Sequence, residues 1–174
     1  MKTHIQLLTI ISATLAAISL SGCGKPESGA ASKPAAQASS VQKDGPKEGR
    51  AIAISANDTM KFNLTEIRAK PGEALAVTLH NEGTMPKFSM GHNWVLIAEG
   101  VDVNAFANDA STAVKTEYVP AAYKDRVIAH TKLLGPRESD TAYFKAPSKP
   151  GRYPFLCTFP GHFQVGMKGE LIVE

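Results

Sequence analysis

Cysteine is scarce in this chain: 174 residues hold two, Cys23 and Cys157, and none lies between Gly24 and Leu156. Excess charge is lacking in the C-terminal part. From Ala51 onward Lys and Arg equal Asp and Glu in number, so the net charge of +3 comes from the residues before it. A folded part so near neutrality gives no support to a nucleic-acid role and steers partners weakly. A long hydrophobic run is missing too, because the apolar stretch from Ile5 to Leu20 falls short of the roughly 20 residues a membrane-spanning helix needs. There is no internal repeat. From Gly24 to Arg50 large apolar residues are absent apart from Val41, and a segment of Gly, Ala, Ser, Pro, Lys and Gln cannot build a core.

What stands at the front is an export pattern. Lys2 opens a short positive region, the apolar stretch follows, and Leu20-Ser21-Gly22-Cys23 ends it. Those four residues resemble a bacterial lipobox, which implies cleavage before Cys23 and acylation of that residue; an ordinary signal peptide with an incidental cysteine is the plainer reading. At about 0.8 kcal/mol per buried methylene, two or more acyl chains anchor a protein stably without spanning the bilayer. The expected organisation is a lipoprotein signal peptide at residues 1–22, a disordered lipid-anchored linker at 23–50 and a folded domain at 51–174. A flexible linker of that length spans on the order of 30 Å. With Cys23 carrying lipid, Cys157 has no disulfide partner, and a lone exported thiol is a liability unless something occupies it.

The folded part reads as an all-β sandwich. Short apolar or alternating runs separated by turn residues predict strands at Ala51–Ile54, Met60–Leu64, Ala74–Leu79, His92–Ala98, Arg126–Ala129, Thr141–Lys145, Gly151–Cys157 and Gly169–Val173. Between Val103 and Val119, Phe106, Ala110, Ala113 and Val114 recur at helical spacing. That predicts one inserted helix, stopped by Pro120 and covering a flank of the sandwich. Pro154 lacks a ladder donor and predicts an edge strand or a bulge just before Cys157.

The chemistry gathers at Cys157-Thr158-Phe159-Pro160-Gly161-His162, with Met167 beyond, and at Gly91-His92-Asn93 upstream. A thiolate, two imidazoles and a distant thioether form the soft donor set of a type 1 copper site, with His92, Cys157 and His162 in the plane and Met167 axial. Pro160 and Gly161 shape the loop that holds it. Taken singly, each residue has a plainer reading as a core or surface side chain. A cysteine nucleophile with His162 as base would also need an orienting group and an oxyanion site. Structural zinc sites use four Cys or His ligands, and Met167 favours copper over zinc. His80 and His130 read as strand-end or turn residues outside the site.

These strings resemble azurin and the wider cupredoxin family. The match is carried by Met90-Gly91-His92-Asn93-Trp94-Val95-Leu96, by Arg126-Val127-Ile128-Ala129-His130-Thr131-Lys132-Leu133, and by Cys157 to His162 with Met167-Lys168-Gly169. With the lipobox and linker, the chain is similar to lipid-modified azurins. The resemblance implies a Greek-key β-sandwich, one type 1 copper ion and the Gly91 carbonyl as a second weak axial group. It further implies that Asn93 and Thr158 tie the two ligand loops together and that an exposed edge of His162 is the electron port. Around that port it implies an apolar docking patch of Met60, Met90, Phe159 and Phe163. Two features depart from azurin: four residues rather than three separate His162 from Met167, as in plastocyanin or auracyanin, and the N-terminal disulfide is missing.

The function so implied is electron transfer by a Cu(I)/Cu(II) couple, without enzymatic turnover or a small-molecule substrate. Transient partners would be c-type cytochromes or copper or haem reductases. The expected location is a bacterial membrane, facing the periplasm or the cell exterior. A copper-binding or delivery protein is the alternative. A multi-copper enzyme would require further His pairs that the chain lacks.

Overall fold

The computed structural model describes residues 48–174. The expected signal peptide, Cys23 and nearly all of the expected linker therefore lie outside the described residues. Eight strands form two sheets: β1 (Arg50–Ala56), β2 (Glu66–Ala69), β3 (Ala74–Asn81), β4 (Val95–Ile97), β5 (Val127–His130), β6 (Ser139–Lys145), β7 (Gly151–Leu156) and β8 (Lys168–Val173). One sheet has the order β1-β3-β6 and the other β2-β8-β7-β4-β5. The pairs β1–β3 and β2–β8 are parallel and the rest antiparallel. This is the expected β-sandwich.

Alternation along the strands explains why the sheets stack. In β1 the side chains of Ile52, Ile54 and Ala56 turn inward while Ala51 and Ala53 face out, the period-two pattern of a half-buried strand. They meet Leu75, Val77 and Leu79 of β3 and Phe155, Leu171 and Val173 of the opposite sheet in one core around Trp94. The Trp94 ring lies 5.5 Å from Phe155 and 5.9 Å from Phe144, centroid to centroid.

A smaller core sits under the helix α2 (Val103–Thr112), where Phe106 and Ala107 pack with Val95, Ile97, Val127, Leu156 and Phe163. Asp102 caps that helix by accepting hydrogen bonds from the Asn104 and Ala105 amides at 2.9 and 3.1 Å. The helix covers a flank as expected, yet it ends at Thr112 rather than near Pro120. Ala113 and Val114 continue the apolar spacing into a separate 3-10 turn, Val114–Thr116, and Val114 is 63% exposed.

Three strand expectations need correction. Met60–Leu64 is not a strand: only Phe62 pairs, by a single bridge to Ala56, and Met60 has a left-handed backbone (φ 56°). His92 likewise lies ahead of β4, bridged singly to Leu134. Pro154 sits in an interior strand with an unbroken register against β8. Its partner Glu170 turns its own amide away, to Thr65 at 2.9 Å, so the Pro154 nitrogen faces the β4 side. There the ladder ends at Leu96–Phe155, one residue short of the proline, and no donor is missed.

The sandwich has two distinct ends. His92 precedes β4, and Cys157 follows β7, its antiparallel neighbour, so both emerge at one end. At the other end the first strand begins. Arg50 donates to Glu73 (2.6 Å) and to the Arg68 carbonyl (2.5 Å), and Arg68 pairs with the C-terminal Glu174 (2.6 Å).

Candidate metal centre

Strand ends deliver the donor atoms. His92 is held on both backbone sides by Leu134: its amide donates to the Leu134 carbonyl (3.1 Å) and its carbonyl accepts the Leu134 amide (2.8 Å). Gly91 just before it must be glycine, because a Cβ there would lie 2.7 Å from the Lys87 carbonyl and 3.0 Å from Leu133. The short helix α1 (Lys87–Met90) leads into it. On the other loop the Cys157 amide donates to the Met167 carbonyl (3.0 Å), and the Met167 amide donates to the His162 carbonyl (3.0 Å). These bonds bring Met167 back beside Cys157 and set Cys157, His162 and Met167 on one closed turn.

The ligating atoms of His92, Cys157 and His162 all fall within 4.8 Å of one another, and each residue is buried. Cys157 Sγ is 3.4 Å from His162 Nδ1, and the two imidazole centroids are 4.9 Å apart. Met167 is fully buried in the same core cluster as Cys157. His80 lies exposed on β3, and His130 turns Nδ1 toward the Thr131 carbonyl at 3.0 Å; neither joins the site.

Burial makes the metal-free cluster unfavourable for charge. It pushes the Cys157 thiol up to about 12, although the Asn93 and Phe159 amides face the sulfur and oppose the shift. Burial pushes His162 down to about 4, with the neighbouring His92 adding to the effect. His92 is lowered mainly by burial as well, with the Asn57 carbonyl and Asp58 opposing. The carbonyl faces the ring short of hydrogen-bond geometry, so neither ring nitrogen of His92 has a partner. Two orphaned buried nitrogens and a thiol that needs a cation to ionise are what a metal would satisfy. Two imidazoles and a thiolate, with a thioether on the same loop, fit copper.

Supporting contacts lock the two loops together. The Thr158 amide donates to Asn93 Oδ1 (2.8 Å), and Asn93 Nδ2 donates to Thr158 Oγ1 (2.7 Å) and to the Glu117 carbonyl (3.1 Å). Asp58 accepts from the Thr84 amide (3.0 Å), the Thr84 hydroxyl (2.9 Å) and the Met85 amide (3.4 Å), joining the turn around Asn57 to the segment before His92. The Thr84 amide leads in holding its carboxyl below the usual range. Lys61 donates its ammonium to the Val165 carbonyl on the four-residue link between His162 and Met167.

The surface differs from the expected docking patch. Met60 and Met90 are half-buried, whereas Phe159 and Phe163 are only 8% and 9% exposed. Phe163 is drawn into the smaller core and capped by the Lys168 ammonium, 4.9 Å from its ring. His162 itself is 2% exposed, so no more than a narrow edge of its ring reaches solvent. Met85 and Phe88, which sequence reasoning passed over, are 41% and 84% exposed on the segment leading to Gly91. An aromatic placed next to a ligand-bearing Gly-His was the available signal.

A model of the copper-binding proteins of the plastocyanin/azurin family matches residues 50–174. The outer membrane protein H.8 of Neisseria gonorrhoeae is 42% identical over 114 residues, which are 64% of this chain and 61% of the relative. The chain thus spans less than two thirds of that protein's length. An azurin of Achromobacter denitrificans is 43% identical over 122 residues, 68% of this chain and 80% of the azurin. Among solved structures, the dithionite-reduced auracyanin of Roseiflexus castenholzii aligns with a TM-score of 0.64 at 36% identity, covering 71% of this chain and 96% of that one.

Proposed function

The chain belongs to the plastocyanin/azurin family of copper-binding proteins, and from that membership we propose that it is a membrane-tethered blue copper electron carrier. His92, Cys157 and His162 would hold one type 1 copper ion, with the Met167 thioether of the same loop as a further soft donor. When bound, copper supplies a Cu(I)/Cu(II) couple that accepts and releases one electron. The protein's own contribution is rigidity. Both loops are pinned by backbone hydrogen bonds and by the Asn93–Thr158 pair, so the donors need not rearrange as charge changes. The Asn93 and Phe159 amides aimed at Cys157 support the sulfur when it carries charge. The Gly91 carbonyl would be a further, weaker oxygen donor.

The observation that carries this reading is the buried His92–Cys157–His162 cluster, with orphaned imidazole nitrogens and a thiol unable to ionise alone. Copper-loaded protein should show an intense visible charge-transfer band that bleaches with reductant. Cys157→Ser should abolish the band, and a colourless Cu(II) form of the unsubstituted protein would refute the assignment. A delivery protein would instead give up Cu(I) readily to a competing chelator.

Residues 1–22 are read as a lipoprotein signal, Cys23 as the acylated residue and 23–50 as the linker to the copper domain. The Neisseria relative, an outer membrane protein, supports an exported, membrane-associated placement. Partners are c-type cytochromes or copper or haem reductases. They would dock transiently over the exposed Met85 and Phe88 and the half-buried Met60 and Met90.

A further inference from the structure

Glu117 and Tyr118 adopt left-handed backbone conformations in succession, with φ of 52° and 65°. Neither is glycine, and such strain persists only where the surroundings over-determine it. The turn is fixed internally: the Glu117 amide donates to the Val114 carbonyl (3.2 Å) and the Tyr118 amide to the Ala113 carbonyl (2.9 Å). Externally, this one dipeptide touches each segment that carries or backs an in-plane ligand.

The Glu117 carbonyl accepts from Asn93 Nδ2 at 3.1 Å, next to His92. Its carboxylate accepts from the Leu133 amide at 3.1 Å, one residue before the Leu134 that brackets His92. The other carboxylate oxygen lies 3.5 Å from Lys87 Nζ on α1, an exposed pair of little energetic weight. The Tyr118 ring meets Phe159 edge to face at 5.2 Å, and Phe159 in turn lies 4.8 Å from the His162 imidazole. Phe159 stands between Cys157 and His162 in the chain.

We propose that Glu117 and Tyr118 form a clasp that sets the spacing of the His92 loop against the Cys157–His162 loop, and through it the reduction potential. Glu117 is a positioning residue acting through Asn93 and Leu133; Tyr118 acts through Phe159. The inserted helix thereby does more than cover a flank, because the turn that follows it reaches the metal end. The idea rests on the blue copper reading above.

The test uses Glu117→Gly, which relaxes the left-handed backbone while deleting the carboxylate, so the turn survives. Glu117→Gln, which keeps an acceptor for the Leu133 amide, is its conservative counterpart, and Tyr118→Ala is compared with Tyr118→Phe. In the metal-free protein, hydrogen exchange at the Leu133 amide should accelerate about fivefold to tenfold in Glu117→Gly and remain near the parent rate in Glu117→Gln. In copper-loaded protein, Glu117→Gly and Tyr118→Ala should shift the potential and the copper hyperfine splitting, while Glu117→Gln and Tyr118→Phe should match the parent. Unchanged exchange at Leu133 overturns the clasp. Faster exchange with the potential and hyperfine splitting of the parent overturns its role at the metal. A parent protein that never turns blue refutes the copper reading instead, and the exchange rates still judge the clasp.

Discussion

Replacing Asn93 with alanine should destabilise the metal-free protein by about 3 kcal/mol. In a fully buried position the side chain donates to the Thr158 hydroxyl (2.7 Å) and the Glu117 carbonyl (3.1 Å) and accepts from the Thr158 amide (2.8 Å) and hydroxyl (3.0 Å), the two contacts with that one hydroxyl counting as a single bond. Each such bond is worth about 1 kcal/mol net, and an orphaned buried partner costs about 1–3 kcal/mol. Water entering the space left by the missing amide would rescue part of that, which places the expectation at the lower end, with about 5 kcal/mol as a ceiling. For a domain of this size the loss corresponds to a fall in melting temperature of roughly 10 °C. Urea unfolding of the metal-free protein followed by Trp94 fluorescence measures it. The same substitution should weaken copper retention, because the two ligand loops lose their direct side-chain tie. A destabilisation below about 1 kcal/mol would show that the loops are held by their backbone bonds alone and would refute the reasoning.

Met167→Leu should keep the blue colour and raise the reduction potential, since a weak donor to the oxidised ion gives way to hydrocarbon; voltammetry checks it. Its metal-free stability should change by less than about 1.5 kcal/mol, as Met and Leu have similar volumes. The metal-free protein should also lose stability at both ends of the pH scale. As pH falls from 6.5 toward about 4 the unfolded chain takes up a proton at His162 that the folded chain refuses. As pH rises from 9.0 toward about 12 the unfolded chain ionises Cys157 while the folded chain keeps its thiol neutral. Urea midpoints across pH measure both limbs, and a flat profile would contradict them.

The long strands and the cluster of His92, Cys157 and His162 were legible because their signals are local: alternation in β1 and β3, the Cys157–His162 spacing on one short loop, and a Gly-His-Asn string ahead of β4. β2 was not, since Glu66–Ala69 has only four residues, and its partner in β8 lies about a hundred residues downstream. Met60–Leu64 misled because its alternation is real: Phe62 does point inward, 5% exposed, but the backbone around it turns instead of pairing. Phe163 misled in the opposite direction. A loop aromatic beside a ligand reads as surface until the second core under α2 is known to receive it. The Glu117 contacts leave no pattern in sequence at all, because a carboxylate bonded to a backbone amide in another segment has no spacing signature.

The far pole of the sandwich, where Arg50, Arg68 and Glu174 meet, sets how this domain can be moored. Chain preceding Arg50 enters there, and β1 carries it toward the ligand end over seven residues, roughly 20 Å of strand. A domain held from its N-terminal side is gripped by the end that does no chemistry, so its mooring does not compete with a docking partner for the same surface. If the residues before Arg50 are the lipid-anchored linker proposed above, changing their number would change how far the ligand end reaches and leave that surface free.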